Sequence, residues 1–253
     1  MILTMSKISL LWNIIISLSV QSSWADEIHL ITYEAPPFIS QKLPEQGAAI
    51  YALRTLLKKS HTDLKITLTP FLRARQIVHK DDSASGYFPV TQINVAPEFS
   101  MSNVIFRTPW VFAEHKDKPV TWKQPTDLIP YRIGNAAGYD IVEPFRELYD
   151  KKKIKVEPAP TDEMNLLKLA NKRVDVVFID AGMFDYLVKT SPVLKPHKDK
   201  LRINAKVIQV DQYGVAFKRT PLAMKNMEKF NKVVNEDEFT RLVNAYFKKY
   251  LQP

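Results

Sequence analysis

Cysteine is absent from all 253 residues, which excludes disulfides, a thiol nucleophile, cysteine metal ligands and a lipid-bearing cysteine at a cleavage site. Glycine is nearly as scarce, with six in the chain. The segment GNAAG (Gly134 to Gly138) has neither Gly-Lys-Ser/Thr nor the full G-x-G-x-x-G pattern of a nucleotide loop. No serine stands in G-x-S-x-G. The five histidines, at 29, 61, 79, 115 and 197, are scattered without the spacing of metal ligands. The chain therefore carries no catalytic signature, and neither cofactor nor metal is expected.

Long apolar runs are missing too, with one exception at the start. MILTMSK is a short positive segment, ISLLWNIIISLSV an apolar stretch of thirteen residues, and SWA a small-x-small ending. Thirteen residues fall short of the ~20 that span a bilayer. The pattern is that of a secretory signal peptide over residues 1–25, cleaved after Ala25, and it predicts an exported, periplasmic protein. Roughly 230 residues remain, enough for two lobes of ~100 residues each.

The chain is basic, with 36 Lys and Arg against 27 Asp and Glu and a net charge of +9. The clusters KKKIK (Lys151 to Lys155) and KPHKDK (Lys195 to Lys200) contain no interleaved stacking aromatics. They read as solvated surface lysines, and no nucleic-acid partner is expected.

Strand and helix patterns alternate, which predicts an α/β fold with mostly parallel sheets flanked by helices. EIHLITY opens as a strand, AAIYALRTLLKKS has helical apolar spacing, LKITLT is a strand, FLRARQIVHK a helix, and ASGYFPV and NVIF are strands. WVFAEHK (Trp110 to Lys116) alternates like a strand, and the proline-rich KPVTWKQPTDLIP after it reads as a crossing between lobes. YRIG, a helix from Asp140, KVEP, a helix from Asp162 capped by Thr161, RVDVVFID and AGMFDYLVK form a βαβαβα block. AKVIQV and YGVAFK are two strands joined by Asp211-Gln212, a return crossing. Two helices end the chain, the second opened by Asn235 with Glu238 three residues on, a capping box. The division is residues 26–116 with 212–253 as lobe 1 and residues 117–211 as lobe 2. Two crossings make a hinge, and the cleft between the lobes is the default site.

In order and spacing, YEAPPF after the first strand, PFLRARQIV before SGYFPV, FRTPWVF, DLIPYRIGNAAGYD, RVDVVFID, YGVAFK and a final KKYL resemble the periplasmic solute-binding proteins of the amino-acid-binding type. The resemblance covers essentially all of the chain beyond the leader. It implies a type II periplasmic binding fold closing on a small solute, as a monomer, with an inner-membrane transporter or receptor as partner.

The resemblance also implies site residues. Asp180, at the end of RVDVVFID, matches the acid that takes a ligand amine, and Gly138 with Tyr139 matches the loop that offers amides at a helix start. The family's carboxylate-binding arginine has no counterpart, because the matching stretch PEFSMSNVI offers Ser100. Arg73, and after it Arg107 in FRTPW, are the substitutes for pairing a carboxylate. Tyr33, Phe38, Tyr87, Phe88, Trp110 and Tyr139 fall around the implied cleft, where their faces suit a flat or cationic solute. Glu34 either binds a ligand donor or caps a loop, and Asp180 equally suits an N-cap.

The function implied is capture of an amino-acid-like, amine-bearing or carboxylate-bearing solute by hinge closure, serving an ABC-type uptake transporter without bond chemistry. A sensory adaptor for a membrane receptor and a small-acid dehydratase on the same fold are the alternatives. Fold alone does not choose among them.

Overall fold

The computed structural model describes residues 26–250, and the expected leader lies outside the described residues. Strand β1 (Asp26–Thr32) pairs in parallel with β2 (Thr62–Leu68) after the crossover helix α1 (Ala48–Lys58). Seven apolar residues of α1, among them Ala49, Leu53, Leu56 and Leu57, are buried, as their 3.6-residue period requires. Helix α2 (Phe71–Lys80) returns the chain to β3 (Gly86–Thr91) on the other side of β1, again in parallel.

The chain then adds β4 (Phe99–Met101), β5 (Phe106–His115), β6 (Arg132–Ala136), α3 (Glu143–Asp150), β7 (Lys155–Ala159), α4 (Asp162–Ala170), β8 (Val176–Asp180) and α5 (Ala181–Thr190). An 18-residue strand, β9 (Leu201–Lys218), follows, and α6 (Pro221–Val233) and α7 (Glu236–Tyr250) close the described chain. Strand order is β2-β1-β3-β9-β5-β8-β6-β7, with β4 also on β9. The C-terminal part of β9 pairs with β3 and β4, and its N-terminal part with β5. One half of the sheet is therefore built around β1 and the other around β8, with β9 running through both.

Each half is covered on both faces. On one face of the first half, α1, α6 and α7 bury Leu53, Leu56, Phe230, Phe239 and Tyr246 against Ile28, Leu30 and Phe217. Ala74 and Val78 of α2 pack on the other face with Ile31 and Phe99. In the second half, α4 and α5 cover Val177 and Ile179, while Phe145 of α3 joins Phe112, Trp122 and Phe178 in an aromatic cluster opposite. Alternate residues of β8 thus serve opposite cores, which explains the unbroken apolar run VVFI.

Four local expectations are corrected. Residues 103–105 are not strand, and the pairing in that region belongs to β4 and to β5 from Phe106 onward. Asp211 and Gln212 do not interrupt the strand, because both continue the ladder with Thr108 and Arg107. Helix α3 starts at Glu143 rather than Asp140, with Pro144 in its first turn, where a missing N–H costs nothing. The passage between halves lies inside β5, not in the proline-rich segment after Lys116: Trp110 to Glu114 already pair with β8. Alternation marks a strand without naming its partner. The two helix caps read from sequence are present, since Thr161 Oγ1 accepts from Met164 N at 3.2 Å and Asn235 Oδ1 from Glu238 N at 3.0 Å.

Close approach of β3 to β9 depends on Gly86, where an added Cβ would lie 2.1 Å from the Ala216 carbonyl oxygen. Gly86→Ala is expected to force these strands apart and to lower unfolding free energy by about 1–3 kcal/mol, measured by denaturant titration.

Candidate functional site

A cavity of about 660 Å³ opens where β5 and β9 pass between the two halves of the sheet. Its walls come from both halves, with Tyr33, Phe38 and Tyr87 from the first and Tyr139, Asp162 and Asp180 from the second. Thr108, Trp110, Gln209, Asp211 and Tyr213 line it from the passing strands themselves.

The ladder sets the register of this wall. Thr108 opposes Asp211 on β9, and Trp110 opposes Asp180 on β8. Asp180 caps α5, its Oδ1 accepting from Met183 N at 2.9 Å, and its Oδ2 accepts from the Thr108 hydroxyl. A carboxylate has about four lone-pair sites, so Asp180 caps the helix and still has capacity toward the cavity. Trp110 Nε1 donates to Tyr213 Oη at 3.2 Å, and that hydroxyl donates to Asp211 Oδ2 at 3.4 Å. Gln209 Nε2 donates to Asp211 Oδ1 at 2.5 Å. The ring of Tyr139 stands edge-on to Trp110 at 5.8 Å, and its hydroxyl donates to Asp162 Oδ2 at 3.2 Å. Phe106 stacks between Phe38 and Tyr213, with centroids 6.4 and 4.9 Å away.

The charged lining is one-sided: Asp140, Glu143, Asp162, Asp180 and Asp211 against Arg146 alone. Arg146 lies 3.6 Å from Asp140 and 3.9 Å from Glu143, so its charge is already engaged. Burial raises the carboxyls of Asp180 and Asp211 above their ordinary range, opposed at Asp180 by the Thr108 hydrogen bond and at Asp211 by Gln209. Burial pushes Asp162 up to about 6; the Tyr139 hydrogen bond opposes this and the charge of Asp180 adds to it. The hydroxyls of Tyr33, Tyr139 and Tyr213 are raised by burial as well and stay protonated.

Among the residues singled out from sequence, Asp180, Phe38, Tyr87, Trp110 and Tyr139 line the cavity, as do Tyr33 and Phe88. The structure places Glu34, Arg73 and Gly138 elsewhere. Glu34 accepts from Gln41 N at 3.0 Å and so holds its own loop. Arg73 is exposed in the first turn of α2, outside the cavity lining. Arg107 is ion-paired with Glu236 on α7. Gly138, at φ 89°, borders a separate recess of about 280 Å³ and precedes α3 by five residues, so it does not open that helix. The Tyr139 amide is spent on Ala136 O at 3.1 Å.

Sequence reasoning missed Thr108, Asp162, Gln209, Asp211 and Tyr213 as lining residues. Asp211 was visible as an acid at an expected crossing. Asp162 read only as a helix-start acid behind its cap. No group of three or more His, Cys, Asp or Glu among the described residues is gathered to hold a metal ion.

No protein-family model matches the chain, and no curated protein matches it. Solved structures do. A mutant of ArgBP from T. maritima is 19% identical with a TM-score of 0.64, over 88% of this chain and 94% of its own. The GluR0 ligand-binding core from Nostoc punctiforme, in complex with L-glutamate, is 18% identical with a TM-score of 0.68, over 89% and 100%. The VFT2 domain of Bordetella pertussis BvgS is 18% identical with a TM-score of 0.66, over 87% and 93%. The likeness shows the fold: an α/β, two-lobed type II periplasmic binding fold.

The raised Asp162 carboxyl has a consequence for stability. A folded-state pKa of about 6, above the ordinary 3.8, means stability that is complete below pH ~4 and lost as pH rises through ~6. At ~1.4 kcal/mol per pH unit the loss is about 3 kcal/mol. Asp162→Asn is expected to match the parent near pH 4 and to exceed it by about 2–3 kcal/mol at pH 8, measured by urea titration at both values without ligand.

Proposed function

We propose that this is an exported solute-binding protein whose two lobes, residues 26 to about 108 with 212–250 and the segment between, close on a small amine-bearing solute. The observation that carries this reading is the charge of the cavity: five acids and one engaged arginine in a chain of net charge +9. Aromatic faces at Trp110, Tyr139 and Phe38 supply the apolar and cation–π walls that an ammonium-bearing ligand uses.

A ligand carboxylate finds little here. Arg73 and Arg107 lie away from the cavity lining, and Gly138 opens no helix toward it. Neighbouring structures are consistent with solute capture, since ArgBP is described bound to arginine and an ancestral arginine-binding protein, at a TM-score of 0.66, bound to arginine. Closure has a contact ready for it: a Cβ placed at Gly182, on the second-half helix α5, would sit 3.2 Å from Cζ of Phe38 in the first half. The residues 1–25 leader directs export to the periplasm, and the loaded protein delivers its solute to an inner-membrane transporter.

Asp180 is the amine-pairing residue. Asn caps helices about as well as Asp, so Asp180→Asn keeps the α5 cap and removes the charge. The variant is expected to lose 2–5 kcal/mol of amine affinity, the cost of breaking a desolvated charge pair, while the free protein at neutral pH is at least as stable as the parent, because burial already raises the Asp180 carboxyl. In thermal unfolding with panels of amines, amino acids and organic acids, a true ligand at 100 times its Kd adds about 2.7 kcal/mol. Stabilisation by organic acids alone, or by no amine, overturns the proposal.

A further inference from the structure

Asp162 is 7% exposed and stands at the first position of α4, behind the Thr161 cap. Its Oδ2 is engaged by Tyr139 and its own backbone N–H faces the carboxyl, but its buried Oδ1 accepts from no other residue among those described. A buried carboxylate oxygen without a donor is costly, and the first turn of a helix offsets only part of that cost. The same side chain lines the cavity. A donor arriving with a ligand would complete it.

The arrangement of the other acids indicates how many such donors the ligand carries. Asp162 is linked to Trp110 through the hydroxyl and ring of Tyr139, and Asp211 through the hydroxyl of Tyr213, so both acids connect to the one indole through a tyrosine. Asp180 faces Trp110 across the β5–β8 ladder. Asp180 lies near enough to both Asp162 and Asp211 for their charges to repel, so the cavity holds several interacting acids. A single ammonium reaches one part of this array. Two ammonium groups joined by an aliphatic stem pair with two parts of it, while the stem lies along the aromatic rings.

Resting on the amine-binding reading above, we infer that Asp162 is a second ammonium site and that the ligand class is an organic dication without a free carboxylate, such as an α,ω-diamine. A zwitterionic amino acid brings a carboxylate into a cavity whose one arginine is engaged by Asp140 and Glu143. A diamine adds no negative charge to Asp140, Glu143, Asp162, Asp180 and Asp211.

The test is calorimetric titration of the purified protein with α,ω-diamines of three to six carbons, monoamines of matching length, and 4-aminobutanoate as the carboxylate control. The best diamine is expected to bind at least about tenfold tighter than its monoamine, and 4-aminobutanoate weakest of all. Asp162→Asn removes the diamine preference and leaves monoamine affinity within about twofold. At pH 6.5, titrations in buffers of different ionisation enthalpy report protons released on diamine binding, and fewer are released by the variant. Equal weakening of diamine and monoamine in Asp162→Asn makes the residue structural and overturns the inference. Wild-type affinities that are equal for diamines and monoamines overturn it too, while amine capture stands. Failure of every amine, with Asp180→Asn silent, overturns both.

Discussion

The antiparallel ladder between β5 and β9 is the constraint from which the rest follows. Ten residues of β5 run beside an 18-residue strand that belongs to both halves of the sheet, so every wall of the cavity is referenced to one pair of strands. Thr108 lies opposite Asp211, and Trp110 lies between Gln209 and Asp180. The ladder shifts register on either side of Val111, and such irregularities re-aim side chains and bend strands beside binding sites. The strands that join the two halves therefore also supply a wall of the cavity. Under the proposed closure, movement of one half against the other would alter the spacing of the acids that line it.

Buried acids elsewhere in the protein are treated differently. Glu114, 2% exposed, accepts from Arg202 at 2.8 Å, Asn204 at 2.7 Å and Val120 N at 3.0 Å. Asp175 is held by Lys118 and by the side chain and amide of Arg132; burial pushes its carboxyl up, but these bonds outweigh it and leave it well below the usual range. Both acids sit in the second half of the sheet, as Asp162 and Asp180 do, and both are matched. Of the three buried carboxylates Glu114, Asp162 and Asp175, the one with an oxygen left without a partner, Asp162, is the one that lines the cavity. A fold that satisfies its structural carboxylates so fully and leaves Asp162 Oδ1 empty-handed retains a local cost at the place where an incoming cation would offset it.

Most of the fold was legible because its signals are local. The period of α1, the caps at Thr161 and Asn235, and the apolar run of β8 each report burial or hydrogen bonding within a few residues. Partnership is not local. WVFAEHK announces a strand, yet nothing within it says that β8 rather than β3 is its neighbour, and so the first crossing was expected several residues late. The site divided the same way. Asp180 was readable from its place at a strand end, whereas Asp162 and Asp211 become cavity residues only when α4 and β9 converge on Trp110. Arg73 lies outside the cavity lining, since an arginine near a motif carries no information on which way its helix faces.

The net charge of the chain and the charge of the cavity have opposite signs. A chain of +9 suggests an anionic partner, but its lysines and arginines are dispersed over a solvated surface, where opposing fields are screened within about 8–10 Å at physiological salt. Inside a concave, partly desolvated cavity the field of a few fixed charges is focused and screened far less. Under the proposed reading the ligand's sign follows from the six Asp, Glu and Arg side chains that line the cavity, five of them acids, and not from the rest of the surface. Under the proposed amine-binding reading the arginines act in the same sense as the acids: among the described residues that line the cavity Arg146 is the one guanidinium, and it lies beside Asp140 and Glu143.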